Sequence, residues 1–381
     1  MTKPTILSLL LCLTTALATM AQKVETTTRD CFLPGRLWFD TTGKLINAHG
    51  GGILFHNGKY YWYGEHKGEM SNNAHVGVTV YSSNDLYNWT YEGIALTVSD
   101  DPASPIANGC IIERPKVIYN PATRKFVMYF HLELKDRGYA EANVGVAVSD
   151  NVTGPFQLLK HGRVNAGQWP LGMTAKERKE VSKMNDKMEW WTPQWREAVS
   201  KGLFVARDNS GGQMSRDMTL FIDDDGKAYH IYSSEDNLTI HIAELSDDYL
   251  DYTGRYTRID PTGHNEAPTI FKKDGRYYMI TSGCTGWAPN AARLLTADSI
   301  LGTWTRHPNP CRGEEAELTF RSQVTFILPV QGKKDAFIFL ADRWNPENPI
   351  DGRYVWLPIE FEDGMPVLRW HDRWTLSTFG K

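Results

Sequence analysis

Five polar residues share one offset within a recurring strand. His49, Glu113, Asp217, Glu266 and Gln323 each stand four residues ahead of an apolar one: Ile53, Val117, Phe221, Ile270 and Ile327. A core position would be apolar, and a random surface position would not be uniformly hydrogen-bonding. Acids that converge on one volume suit cleavage of a glycosidic bond. One must stay neutral to protonate the departing oxygen, and burial beside negative charge raises its pKa. A second acid about 6.5–9.5 Å away leaves room for a water and inversion, whereas about 5–5.5 Å permits direct nucleophilic attack. The competing reading is that these positions are polar because they line a wet channel.

The elements that must position these residues recur too. A short apolar strand, a turn and an aromatic-rich strand appear as Gly52-Ile53-Leu54-Phe55 with Asn57-Gly58-Lys59-Tyr60-Tyr61-Trp62-Tyr63. The unit returns from Lys116, Leu220, Thr269 and Val324. Asn-Gly or Asp-Gly between strand-like runs is a strong hairpin signal, because both residues tolerate positive φ. Third strands follow at Val76–Tyr81, Val144–Val148 and Arg293–Ala297, leading to Trp89, Phe156 and Trp304. One such small sheet cannot bury both faces, but five packed radially can. The pattern therefore predicts an all-β, five-bladed β-propeller whose inner strands bring the five polar residues to one axis. Copies are spaced by roughly fifty to sixty residues, except the second interval of about a hundred. The excess, about 160–212, is expected to be a partly helical insertion between the second and third blades. It begins a helix at Ala175–Val181, which Trp190, Trp191, Pro193 and Trp195 interrupt, and those tryptophans are assigned to packing.

Composition fits this architecture. The 381 residues include 13 Trp, 17 Tyr and 15 Phe with 32 Gly and 19 Pro, which favours short strands and tight turns. With 41% hydrophobic residues the chain is not a disordered one. Basic residues number 41 against 45 acidic and form no block, so no nucleic-acid partner is expected. Residues 1–21 resemble an export signal: Lys3, an apolar run from Ile6 to Ala18, then Thr19-Met20-Ala21. Its removal would leave 22–381 as one propeller domain, periplasmic or secreted, with no membrane segment, and would take Cys12 with it. Cys31, Cys110, Cys284 and Cys311 remain, and they allow three disulfide connectivities or buried free thiols. Their spacing is too wide for a zinc knuckle, and no phosphate loop is present. No metal and no cofactor are expected, although a channel cation is compatible.

Five blades with axial acids resemble glycoside hydrolase family 43 over nearly all of residues 40–375. The resemblance implies an inverting glycosidase. Asp217, in Ser215-Arg216-Asp217-Met218, resembles that family's acid-tuning Asp, and Glu266, in Asn265-Glu266-Ala267-Pro268, its general acid. The family's first-blade Asp base is missing, and Ala48-His49-Gly50-Gly51 stands there. His49 is either a proton acceptor or a hydrogen-bonding core histidine, and it is counted among the sugar contacts. This departure is similar to the exo-β-1,3-galactanase branch, where a second-blade Glu and a fifth-blade Gln are functional. Glu113, in Glu113-Arg114-Pro115-Lys116, and Gln323, in Arg321-Ser322-Gln323-Val324, match those places. They would hold the attacking water or sugar hydroxyls, the glutamine acting by position or as an imidic acid. Trp287 and Trp344 are expected at the channel mouth to stack on sugar, with Asn237, Asp236 and Tyr63 as further polar contacts. The implied activity is release of galactose from the ends of β-1,3-galactan, the arabinogalactan backbone, by a monomer. The alternatives are an α-L-arabinofuranosidase or β-xylosidase of the same fold, against which the missing Asp argues, and a non-catalytic glycan-binding propeller.

Overall fold

Hairpin chemistry builds the sheets. The computed structural model describes residues 28–69 and 71–380, and the export segment expected at 1–21 lies outside the described residues. Asn57 (φ 49°) and Gly58 (φ 81°) both take the left-handed conformation that matches the right-handed twist of flanking strands. They join β1 (His49–His56) to β2 (Lys59–Glu65), and β3 (Gly77–Ser83) and β4 (Thr90–Thr97) complete an up-and-down sheet. The second blade is β5 (Ile111–Asn120), β6 (Lys125–Glu133), β7 (Asn143–Ser149) and β8 (Gln157–Gly162). Three helices follow: α1 (Ala175–Val181), α2 (Pro193–Lys201) and α3 (Leu203–Asp208). The third blade is β9 (Met218–Ile222), β10 (Ala228–Ser234), β11 (Thr239–Leu245) and β12 (Tyr252–Ile259). The fourth is β13 (Asn265–Lys273), β14 (Arg276–Gly283), β15 (Arg293–Ala297) and β16 (Thr305–His307). In the fifth, β17 (Cys311–Arg312) pairs in parallel with the outermost strand of β18 (Gln323–Pro329), β19 (Phe337–Arg343), β20 (Arg353–Glu362) and β21 (Met365–Arg369).

The inner strands β1, β5, β9, β13 and β18 contact one another in sequence, and β18 returns to β1, so the ring is closed. Five apolar clusters form the core, one between each pair of adjacent blades. The cluster joining the last blade to the first is the most aromatic. Phe32 and Trp374, near the two ends of the chain, exchange backbone hydrogen bonds of 2.9 and 3.2 Å, and their rings stack at 4.3 Å. Trp356 packs 4.9 Å from both Trp38 and Trp62 beneath them.

Pro193 corrects one expectation. It starts a helix rather than interrupting one, because Thr192 caps α2 and proline at the first helical position lacks only an N–H that would be unpaired anyway. Trp195 is consequently buried in α2, whereas Trp190 and Trp191 are partly exposed. Cys31, Cys110, Cys284 and Cys311 are free thiols. Among the described residues no helix is long and apolar enough to cross a membrane.

Trp356 is 1% exposed at the seam of the ring. Trp356→Ala should lower the unfolding free energy by about 3–5 kcal/mol, read from denaturant titration. A loss below about 1 kcal/mol would contradict closure by aromatic packing.

Candidate active site

The inner strands do not run straight to the axis. Register slips beside the axial residue in four of them, between His49 and Gly52, Glu113 and Lys116, Glu266 and Thr269, and Val324 and Phe326. In the first three, the residue after the axial one is left-handed: Gly50 (φ 58°), Arg114 (φ 56°) and Ala267 (φ 51°). Such bulges re-aim side chains at a strand end. Each turned N–H finds a carboxylate on the preceding blade. Gly50 donates to Asp342 Oδ2 at 2.6 Å, Arg114 to Glu65 Oε1 at 2.8 Å and Ala267 to Asp217 Oδ2 at 3.1 Å. At Gly50 a side chain is also excluded sterically, since a Cβ would lie 2.0 Å from Glu65 Oε1.

Above these bulges opens a cavity of about 280 Å³ that holds Glu113, Asp217, Glu266, Gln323, Trp287 and Trp344. Two hollows of about 320 and 430 Å³ lie beside the insertion, but neither gathers the axial acids. Glu266 Oε1 accepts from Asn237 Nδ2 at 2.9 Å, and its Oε2 lies 3.5 Å from Gln323 Nε2. Burial, then the charge of Asp217, pushes Glu266 up to about 7 against the opposing pull of Arg114. Asp217 itself pairs with Arg114 Nη2 at 2.9 Å.

Glu113 has the opposite character. Its Oε1 accepts from Asn72 at 2.6 Å and from the Tyr139 hydroxyl at 2.7 Å, and its Oε2 meets His131 Nδ1 at 3.0 Å. Burial alone would raise its pKa, but the hydrogen bond and charge of His131, with Lys67 and Tyr139, outweigh it and hold Glu113 well below the carboxylate range. The other nitrogen of His131 meets Glu133 Oε1 at 2.9 Å. Burial opposes charging of this imidazole, yet its two carboxylates raise it to about 9. Glu113, His131 and Asp217 bring ligand-type atoms within 4.8 Å of one another. Each ring nitrogen of His131 faces a carboxylate, Nδ1 that of Glu113 and Nε2 that of Glu133, so His131 stands here as an ion-paired cation.

Gln323 is clamped. Its Oε1 accepts from Arg114 Nη2 at 2.5 Å and Trp344 Nε1 at 2.8 Å, and its Nε2 donates to Ser282 Oγ at 2.8 Å. Trp344 and Trp287 meet edge to face at 6.0 Å, with Trp287 42% exposed at the mouth. Asn237 stands in the β10–β11 turn, where Glu235, Asp236 and Asn237 have φ of 52°, 56° and 62°. Left-handed geometry is unfavourable for Glu235, whereas Asp and Asn adopt it more readily.

Three expected sugar contacts stand elsewhere: Asp236 does not line the cavity and pairs with Arg207 at 2.7 Å, and the other two are His49 and Tyr63. His49 has no exposed surface and stacks on Tyr354 at 5.2 Å; burial, with the charge of Lys67, lowers it to about 3 and keeps it neutral. Tyr63 is fully buried between the first two blades, and its hydroxyl donates to the Val152 carbonyl. Arg114, His131, Asn72 and Tyr139 were not anticipated. A signal existed for His131: it pairs in register with Glu113, and period-two alternation puts Glu133 on the same face of β6. Asn72 and Tyr139 arrive on loops, where no periodicity marks them.

A family model for glycosyl hydrolases family 43 matches residues 183–366. A solved GH43 beta-1,3-galactosidase, with galactodeoxynojirimycin bound, is 60% identical with a TM-score of 0.87, covering 91% of this chain and 100% of that one. The exo-beta-1,3-galactanase of Phanerochaete chrysosporium, solved with galactose, is 29% identical with a TM-score of 0.72, over 91% of this chain and 68% of its own. Among curated proteins, the beta-D-galactofuranosidase of Aspergillus niger is 31% identical over 99 residues. That match spans 26% of this chain and 28% of the relative's length.

Carboxyl NMR of the protein should show Glu266 titrating near 7. Asp217→Asn removes the neighbouring negative charge and should move that midpoint down. An unchanged midpoint would mean that Asp217 does not tune Glu266.

Proposed function

This chain belongs to glycosyl hydrolases family 43, and we propose that it releases galactose, with inversion, from the ends of β-1,3-galactan chains such as the arabinogalactan backbone. The observation that carries this reading is the contrast between two carboxyls in one cavity, Glu266 raised to about 7 and Glu113 held ionised by His131. The galactose-directed relatives support the choice of sugar. A cavity of about 280 Å³, closed below by the ring of bulges, suits one terminal residue better than an internal stretch of chain. Such a polymer is met outside the cell, which supports a protein that works exported, after loss of residues 1–21; a monomer is part of the same proposal.

In this mechanism Glu266 gives its proton to the glycosidic oxygen as the bond to the anomeric carbon breaks. Asp217 raises the affinity of Glu266 for that proton. With Oδ2 engaged by Arg114 and the Ala267 amide, Asp217 is a poor nucleophile, which favours attack by water. Water bonds to the anomeric carbon from the opposite face, held by Glu113 and Gln323. Its proton leaves through the Glu113 carboxylate to solvent, and Glu266 is reprotonated. Gln323 acts as an amide. Arg114 and Trp344 offer its Oε1 donors only, so an imidic acid protonated on that oxygen would face two N–H groups. Trp287 and Trp344 present aromatic faces and edges to the sugar's C–H surface.

Proton NMR of a β-1,3-galactan digest should show galactose first as the α-anomer, with no pentose released from arabinan or xylan. Initial β-galactose or released pentose would overturn the reading. Glu266→Gln should lower kcat by about 10²–10⁴-fold. Wild-type activity should fall as pH rises through about 7, because the acid must be protonated.

A further inference from the structure

Asn237, whose amide meets Glu266, sits in a turn with an uncommon run of left-handed backbone. Three consecutive residues, none a glycine, are left-handed there. Such a conformation persists only where its surroundings over-determine it, and here the surroundings are the helical insertion. Arg207 of α3 donates from Nη1 to Asp236 Oδ2 at 2.7 Å. The same guanidinium grips Asp208 with two bonds of 2.8 Å and lies 4.2 Å from the centre of the Phe204 ring. Arg258 forks onto Glu235 at 2.6 and 2.7 Å, and it also donates to the carbonyls of Val199 and Ser200 in α2 at 2.7 and 3.0 Å. Leu238, the next residue of the turn, has no exposed surface and belongs to the insertion's own core with Trp195, Val199 and Phe204.

The far side of the turn is tied to the strand that carries the acid. The Asn237 carbonyl accepts from Asn265 N–H at 2.9 Å, one residue before Glu266. Trp191 of the insertion lies 5.2 Å from the His264 ring. The insertion thus grips the acid's neighbours from two directions.

We propose that the helical insertion is the positioning element of the general acid. Through Arg207–Asp236 and Arg258–Glu235 it holds the left-handed turn that aims the Asn237 amide at Glu266 Oε1, leaving Oε2 to carry the proton. Arg207 is a positioning residue, acting through Asp236 and Asn237. The inference rests on Glu266 being the acid, and its test separates the two claims.

Arg207→Ala and Asp236→Asn are assayed on β-1,3-galactobiose and on 2,4-dinitrophenyl β-galactoside, whose leaving group departs without a proton. Misplacing the acid should lower kcat on galactobiose by about tenfold, with KM little changed. Activity on the aryl galactoside should stay within about twofold. Arg207→Lys, whose single ammonium cannot keep the fork on Asp208 and the bond to Asp236 together, should restore only part of the loss. The basic limb of the galactobiose profile should move to higher pH, because Glu266 loses an N–H donor. Asp236→Asn keeps the side-chain shape and gives the same readout if Arg207→Ala lowers the melting temperature. Equal losses on both substrates, or no loss on either, would overturn the proposal. Full galactobiose activity in Glu266→Gln would instead overturn the acid assignment beneath it.

Discussion

One buried guanidinium organises the axis. Arg114 is 4% exposed and bonds three other blades. Its backbone N–H goes to Glu65 of the first, Nη2 to Asp217 beside the third, and Nη1 and Nη2 to the Val324 carbonyl and Gln323 of the fifth. Taking such a charge out of water costs on the order of several kcal/mol, so it stays only where its donors are met. Here they are met by the groups that the chemistry needs in place. Asp217 is kept beside Glu266, Gln323 is kept as an oriented amide, and the charge of Arg114 limits how far Glu266 rises. Beneath it Lys116 bonds the Gly50 carbonyl at 2.9 Å; burial, then the charge of Arg114, draws this lysine down to about 7. A guanidinium suits this place because its planar fork reaches three acceptors, Asp217, Gln323 and the Val324 carbonyl, through Nη1 and Nη2, a geometry that an ammonium does not reproduce.

The same residue shows how the backbone serves electrostatics. Arg114 must be left-handed for its N–H to face Glu65, and Gly50 and Ala267 repeat the device toward Asp342 and Asp217. Each bulge welds one blade to the acid of its predecessor, so blade geometry and charge placement are one problem. Strain gathers where function does: Glu235–Asn237 carries the contact to Glu266, and Thr319, Phe320 and Arg321, also left-handed, lead into Gln323.

Much of this was legible in the sequence. The repeat, its Asn-Gly and Asp-Gly turns and the fixed offset to an apolar neighbour named the five inner strands and four of the residues that meet in the cavity. The offset failed at His49. It locates a strand end, and whether that end faces a cavity or a packed ring depends on Tyr354, some three hundred residues away in sequence. Tyr63 failed because alternation placed it on a blade-to-blade face, a choice that period two alone does not make. Arg114 was hidden beside Glu113, since a lone arginine reads as surface until its partners from three blades are known. The insertion's hold on Asn237 was invisible for the same reason. Its contacts join segments with no shared pattern.

The central claim is that this ring of bulges holds two acids of one cavity in opposite protonation states. Neutron diffraction from crystals at about pH 6 would locate those protons directly. The account predicts a deuteron on Glu266, deuterons on both ring nitrogens of His131 and none on Glu113. A deuterated Glu113 facing a bare Glu266 would contradict it.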